Sequence, residues 1–550
     1  MQHYRMIFLS LAGGSLLALV WMFAGAGSIA RGQETPPPDF PTATASLAPF
    51  PTSTLDTPAL NMPRGAALPG IIPPERRVHM TCHAEAKWTY LINVRRGPSS
   101  NWGIIRQLLH REENPEMRVF GRDADREWFH VVLPAPYLNE VGWVWSENVN
   151  IFGRCADLPI TAETPEISLD QVPPAPAMAP MPGWVPADIR LTRYDRAFPL
   201  NDAMLYIRRQ IPGDERERMQ VHLLLMNLQD ERVRVGTTIG AIPGVRAIPV
   251  SGMAEAVGAY AAITGDYYAG NYWPQGITVI DGAVVTAPKF RSAFGLTHDR
   301  EPFIGYFTTS WTWPASVTAE NGEVIPLQLM NLPCQVDWLC LYSHHRANRL
   351  PLSYRGLRVL LDEDFTVLEI VDNEGLDIPD GHFALRGEGS TADWLRANVE
   401  IGDTLQIDLP TEPPWQDFES AISGGPRLLM NGEFFVDCDP TAENPICEEF
   451  TDDFRARQAG ASSLPRVAVA YDDSATLLYA AMVEGYEVED SGGATRRELA
   501  DFLLEFGASE AMEFDGGGSA TMYLAGNSVS DHGWEGERPG TNALVFYWDE

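Results

Sequence analysis

Lysine is almost missing from this sequence: of 40 basic residues only Lys87 and Lys289 are lysines. Basic charge is scarce as a whole, with 40 Lys and Arg against 74 Asp and Glu and a formal net charge of -34. So acidic a surface repels phosphate backbones, which excludes nucleic acid as a partner. The sequence has no Cys or His cluster at the close spacing of a structural zinc site. The acidic tract 437–453 lacks the Asp-x-Asp-x-Asp-Gly order of a calcium loop, and the adjacent His344 and His345 read as exposed loop residues. No cofactor is therefore called; a divalent metal stays open, with no ligands assigned. Helical periodicity is also rare. Its clearest instance is 495–506, where Thr495 and Glu498 form a capping box and Leu499, Phe502, Leu503 and Phe506 share one face.

What the sequence does have begins with one long apolar run. Residues 6–30 carry no charge and lie between Arg5 and Arg31, the pattern of an export signal. The run is also long enough to cross a bilayer, which takes about 20 residues. Segment 1–31 is thus expected to be a signal peptide or an uncleaved membrane anchor, which puts the rest outside the cytoplasm, either secreted or held at the membrane. The six cysteines fit export, because they fall into three local pairs expected as disulfides: Cys82 with Cys155, Cys334 with Cys340, and Cys438 with Cys447.

Two stretches rich in Pro, Thr, Ser and Ala, 32–77 and 157–185, read as extended linkers. Between them, 78–156 reads as a small all-β domain. The segments 91–95, 117–120 and 128–133 are strand-like, with turns at 97–100 and 121–127. From 186 to 550 no further linker occurs, and this part reads as one large mixed α/β domain, an α+β chain overall. Segments 467–471 and 477–483 are apolar strands joined by Asp472, Asp473 and Ser474. A short strand, 511–514, runs into Asp515-Gly516-Gly517-Gly518-Ser519.

Consecutive glycines weaken a strand end and serve where backbone must approach a ligand closely. Such a loop suits a phosphate or sugar oxygen, with Asp515 beside it as acid, base or orienting group. A plain glycine turn with a solvated aspartate is the other reading, and Ser519 and Thr521 could simply satisfy backbone groups.

The motif Asp515 to Met522, with the helix before it and Glu537-Arg538-Pro539-Gly540-Thr541-Asn542-Ala543 after it, resembles the phosphodiester glycosidase family. That family includes the N-acetylglucosamine-1-phosphodiester alpha-N-acetylglucosaminidase, or uncovering enzyme. Segments 261–268, 291–296, 423–428 and 465–469 are similar in the same order. Thr264 stands where the family has Asn, Glu513 stands where an Asn is common, and Glu484-Gly485-Tyr486 replaces Asp-Gly-Arg. Residues 78–156 are similar to the bacterial SH3 domain, which implies a small barrel that binds cell-wall material.

The resemblance implies a hydrolase of glycosyl-phosphodiester bonds acting on a glycan or wall-polymer substrate. Asp515 with Asp266 or Glu484 would supply the carboxylate pair. Arg291, Arg427 and Arg466, with Arg538 as a further candidate, would hold the phosphate, and Gly516, Gly517, Gly518, Ser519, Thr521 and Asn542 would line the substrate. A non-catalytic wall-binding surface protein is the alternative.

Overall fold

The computed structural model describes residues 73–549, leaving out 88–90, 109–115, 135–136, 138–139, 164, 213–217, 241–246, 269–272, 309–311, 347, 352–355, 452–453, 456–462, 486–490 and 533–535. The apolar run 6–30, most of the first linker and Tyr486 lie outside the described residues. Among the described residues no helix is long and apolar enough to cross a membrane. All three expected cysteine pairs are bonded, which matches an oxidising compartment.

The chain is all-β, and the expected α+β architecture with a mixed α/β catalytic domain is overturned. The described α-helices are three short ones, Val250–Ala256, Ser390–Asn398 and Arg496–Glu505. The strands pair antiparallel except for Leu329–Met330 against Leu339–Ser343. The widest sheet has eight strands. Its central members, in order, are Met219–Asn227, Leu477–Val483, Arg466–Asp472 and Ala508–Glu513, with Arg427–Met430 beside the last.

Burial explains the misreading. Every residue of Leu477–Val483 is buried, and an unbroken apolar run is the mark of a sheet covered on both faces, usually by helices. Here one face packs on a second sheet: Met482, Met512 and Phe514 share a core with Ile263, Met522, Leu544 and Phe546. The other face takes the helix Arg496–Glu505 through Leu499 and Leu503, and also Met181, Val185 and Ile189 from a Pro-rich part of the chain. That second sheet has five strands in the order Val233–Ile239, Asn542–Trp548, Ala261–Thr264, Met522–Leu524 and Asn527–Ser528. The helix itself forms as its sequence dictates, with the Thr495–Glu498 capping box in place and Gly507 at φ +88° just after it.

The expected SH3-like barrel is likewise corrected. Residues 82–153 form one seven-stranded sheet whose outer strands are Ile104–Leu108 and Val149–Gly153. These two do not pair with each other, so the sheet stays open. It packs against the larger part of the chain. Phe152 enters the shared core, Arg208 pairs with Glu85, and Trp143 Nε1 donates to the Pro165 carbonyl at 2.8 Å.

The Cys82–Cys155 bond spans 73 residues and ties the start of this sheet to the chain just beyond its last strand. Replacing both cysteines with serine should lower the unfolding free energy by about 2 to 4 kcal/mol, read from urea unfolding of the oxidised wild type and the double variant.

Candidate active site

The strand Ala508–Glu513 delivers the glycine loop to a junction of the two sheets. Phe514 N–H donates to the Val467 carbonyl at 2.9 Å, still within the eight-stranded sheet, and Asp515 N–H donates to the Gly265 carbonyl at 2.9 Å, just past Ala261–Thr264 of the other sheet. A side chain at Gly516 would place its Cβ 2.7 Å from the Pro465 carbonyl oxygen, too close for any other residue. Gly517 turns the chain at φ +59°. Thr264 braces the far side: its hydroxyl donates to the Ser519 carbonyl at 2.6 Å and accepts from Thr521 N–H at 3.0 Å. The loop amides are partly committed, with Gly517 N–H on the Pro465 carbonyl and Ser519 N–H on that of Gly516.

The three candidate carboxylates have different surroundings. Asp515 is partly buried, and the protein around it lifts its pKa to about 7. Burial is the main cause and the nearby Asp266 charge adds to it; a hydrogen bond from Ser519, the Gly516 N–H and the Arg538 charge act against it. Asp266 is 1% exposed. It accepts backbone N–H bonds from Tyr267 at 2.7 Å, Gln275 at 2.9 Å and Gly276 at 2.8 Å. Burial raises its pKa, opposed by the Arg291 charge and those three donors. Asn542 fixes it from behind, accepting Asp266 N–H on Oδ1 at 2.7 Å. Asp266 therefore organises the loop and sets the field at Asp515. Glu484 is elsewhere engaged. Its carboxylate meets His222 Nε2 at 2.9 Å and Asp531 N–H at 3.0 Å. Burial works to raise its pKa, but these partners hold it below the usual range. Neither of these bonds reaches Asp515 or Asp266.

The arginines also divide. Arg427 pairs with Glu510, and Arg466 Nη1 pairs with Glu513 at 2.6 Å. Arg291 differs from both. Its Nε donates to the Glu449 carbonyl at 2.9 Å, and its guanidinium lies 4.5 Å from the centre of the Phe450 ring. Its Nη1 is buried with no hydrogen-bond partner among the described residues. The Cys438–Cys447 loop sets this geometry, since Glu448 just beyond it accepts from Ser292 N–H at 3.0 Å and Arg427 N–H at 2.9 Å. Arg538 lies against Gly518, where an added Cβ would come within 2.2 Å of its guanidinium carbon.

Three contributors were not assigned to the site from the sequence. Arg496 opens the last helix, and its Nε pairs with Glu513 at 2.5 Å while its Nη2 is buried without a partner among the described residues. A cation in a helix's first turn opposes the dipole, which was a legible sign that a carboxylate waits nearby. Glu513, 3% exposed in an apolar strand, was that carboxylate. Tyr267 places its hydroxyl on the carbonyls of Gly425 at 2.9 Å and Phe514 at 3.3 Å, between the two sheets. Among the described residues no group of three or more His, Cys, Asp or Glu could hold a metal ion.

Comparison with known proteins gives a partial family match and distant likenesses to solved structures. The family model for phosphodiester glycosidase (NAGPA) matches residues 369–547, about a third of the chain. That segment holds Asp515, Arg466, Arg496 and Arg538; Asp266 and Arg291 lie before it. A solved structure of a hypothetical protein from Synechocystis is 14% identical with a TM-score of 0.52, covering 87% of this chain and 82% of its own, and shares the fold. A putative exported protein from Burkholderia pseudomallei is 18% identical with a TM-score of 0.49, over 60% of this chain and 74% of its own. The catalytic domain of zebrafish N-acetylglucosamine-1-phosphodiester alpha-N-acetylglucosaminidase, auto-inhibited by its pro-peptide, is 16% identical with a TM-score of 0.34, over 63% and 83%. No curated protein matches the chain in sequence.

The raised Asp515 pKa has a consequence for stability. The folded state favours the protonated acid, so stability present below the ordinary carboxylate range is lost as pH rises towards about 7. Asp515→Asn, which stays neutral, should match the wild type near pH 4 and exceed it near pH 8 by about 2 kcal/mol, a figure discounted for its remaining solvent exposure. Denaturant unfolding at the two pH values measures this.

Proposed function

We propose that the chain is an exported hydrolase of glycosyl-phosphodiester bonds, acting on sugar-1-phosphodiesters such as those of N-acetylglucosamine in wall or capsule polymers. One observation carries the reading: a largely buried aspartic acid with a pKa of about 7 near two guanidinium groups that retain unpartnered buried nitrogens among the described residues. The phosphodiester glycosidase match over 369–547 supports the reaction class.

In this reading Asp515 protonates the leaving phosphate oxygen as the C1–O bond breaks; water then adds its hydroxyl to C1 and returns its other proton to the Asp515 carboxylate. A general acid should have its pKa near the working pH. Arg291 and Arg496 hold the single phosphate charge, where the planar guanidinium matches paired oxygens. Asp266 stays an acceptor for three N–H groups and keeps the Asp515 proton from leaving early. Arg466 works indirectly, by holding Glu513 for Arg496.

A second reading, glycan binding without turnover, has its own support. The N-terminal sheet carries a groove of about 590 Å³ lined by Arg95, Pro98, Trp128 and Trp145, and Trp145 is 43% exposed. Retention on purified wall material with no sugar release from any phosphodiester would favour it.

Asp515→Asn should lower turnover of an N-acetylglucosamine-1-phosphodiester by about 10²- to 10⁴-fold, and the wild-type rate should fall as pH rises through about 7. Arg291→Ala should raise KM for the phosphodiester and leave an uncharged aryl glycoside unaffected. Undiminished turnover in Asp515→Asn would end the proposal.

A further inference from the structure

Glu448 is a buried carboxylate with no part in the chemistry proposed above. It is 0% exposed and is held by neutral donors. Oε1 accepts from Ser292 Oγ at 2.8 Å, from Arg427 N–H at 2.9 Å and from the Tyr306 hydroxyl at 3.4 Å, while Oε2 accepts from Ser292 N–H at 3.0 Å. Burying a carboxylate is costly unless hydrogen bonds compensate it. Here they come from the entries of two strands, since Ser292 precedes Ala293–Thr297 and Arg427 opens Arg427–Met430. We propose that Glu448 is the positioning residue for Arg291: it fixes the backbone that carries this guanidinium and thereby sets how tightly the site holds a phosphodiester anion.

The grip on Arg291 extends along the chain. Next to the Glu448–Ser292 bonds, Glu449 N–H donates to the Phe290 carbonyl at 2.7 Å, and the Glu449 carbonyl accepts from Arg291 Nε at 2.9 Å. The Glu449 carboxylate lies 3.3 Å from Lys289 Nζ. The centre of the Phe450 ring then lies 4.5 Å from the Arg291 guanidinium. Arg291 is therefore held at its backbone, at Nε and on one face. An arginine free to turn loses rotamer freedom when it takes up an anion, and one held beforehand loses less.

Glu448 is itself placed by the stapled loop before it. Asp437 Oδ1 accepts from Glu448 N–H at 2.7 Å. Arg455 joins the same two residues, with Nε 3.2 Å from the Asp437 carboxylate and Nη2 donating to the Glu448 carbonyl. The Cys438–Cys447 bond closes this loop across a separation of 9 residues, and Cys438 N–H donates to the Ile446 carbonyl at 2.8 Å. The effect of the loop on Arg291 passes through Glu448 and its two successors.

The chemistry of an amide selects the informative variant. Glu448→Gln can keep an oxygen on Ser292 Oγ and Arg427 N–H, but its NH2 then faces Ser292 N–H, donor against donor. The bond lost is the one beside Arg291.

This inference rests on Arg291 as the anion holder, so its test pairs a structural readout with a kinetic one. In heteronuclear NMR of the full chain, the Arg291 Nε–H signal is identified by its loss in Arg291→Ala. It should exchange slowly with solvent in the wild type and about tenfold faster in Glu448→Gln. Glu448→Gln should also raise KM for an N-acetylglucosamine-1-phosphodiester about tenfold, with the change on KM rather than kcat, and should add nothing in an Arg291→Ala background. Cys438→Ser with Cys447→Ser leaves the buried carboxylate intact and should move both readouts the same way, which decides the matter if Glu448→Gln does not fold. Unchanged Nε–H exchange, or losses from Glu448→Gln and Arg291→Ala that simply add, would overturn the proposal, because a merely structural glutamate would act regardless of the arginine. A wild-type KM in Arg291→Ala would instead sink the anion role given to Arg291, and the exchange rate would still decide whether Glu448 holds that side chain.

Discussion

One backbone hydrogen bond joins the two sheets at the candidate site, from Asp515 N–H to the Gly265 carbonyl. It fixes the carboxylate of Asp515 against the loop that carries Asp266 and Tyr267, two elements about 250 positions apart in sequence. The apolar core around Ile263, Met512, Phe514 and Met522 holds both strands in register up to that point. Beyond it the chain leaves the core, and its polar groups must find partners or stay exposed. Gly516 is there because the Pro465 carbonyl leaves no room for a side chain, Gly517 because the chain turns at φ +59°, and Gly518 because Arg538 lies against it.

The same constraint explains the sorting of charges. A buried arginine keeps its charge and needs a partner. Arg427 has its partner in Glu510, and Arg466 and Arg496 share Glu513. Arg291 has a carbonyl, an aromatic face and the nearby Asp266 charge, with no ion-pair contact of its own among the described residues. Its Nη1 stays buried without a hydrogen-bond partner among the described residues. Sequence spacing could name Arg291, Arg427 and Arg466 but could not rank them, because their partners come from strands far along the chain.

Much of the local structure was legible. The Thr495–Glu498 cap, the strands flanking Asp472 and the pairs Cys334–Cys340 and Cys438–Cys447 are set by near neighbours, and they form as expected; Cys82–Cys155 also forms, across 73 residues. The architecture was not legible. Leu477–Val483 is apolar at every position, and one-dimensional pattern cannot say whether helices or another sheet cover its faces. The strands at 91–95 and 128–133 were readable as strands, whereas closure into a barrel depends on which edges meet. Glu484 shows the same limit at the site. Motif position offered it as a catalytic partner, while His222, on a strand more than 250 residues earlier, holds its carboxylate.

The scarcity of lysine takes on a meaning once burial is known. A chain of charge -34 repels an anion at long range, though salt confines that repulsion to about 8 to 10 Å. For the phosphodiester proposed above, capture would fall to cations at contact distance in a partly dry site. Lysine is poorly suited there, and Lys87 illustrates why: burial lowers its pKa although Glu147, Asp531 and Glu537 pull upwards. A guanidinium keeps its charge under the same desolvation. Arg291 and Arg496 each keep one buried nitrogen without a hydrogen-bond partner among the described residues, a position that the five-donor guanidinium suits better than an ammonium.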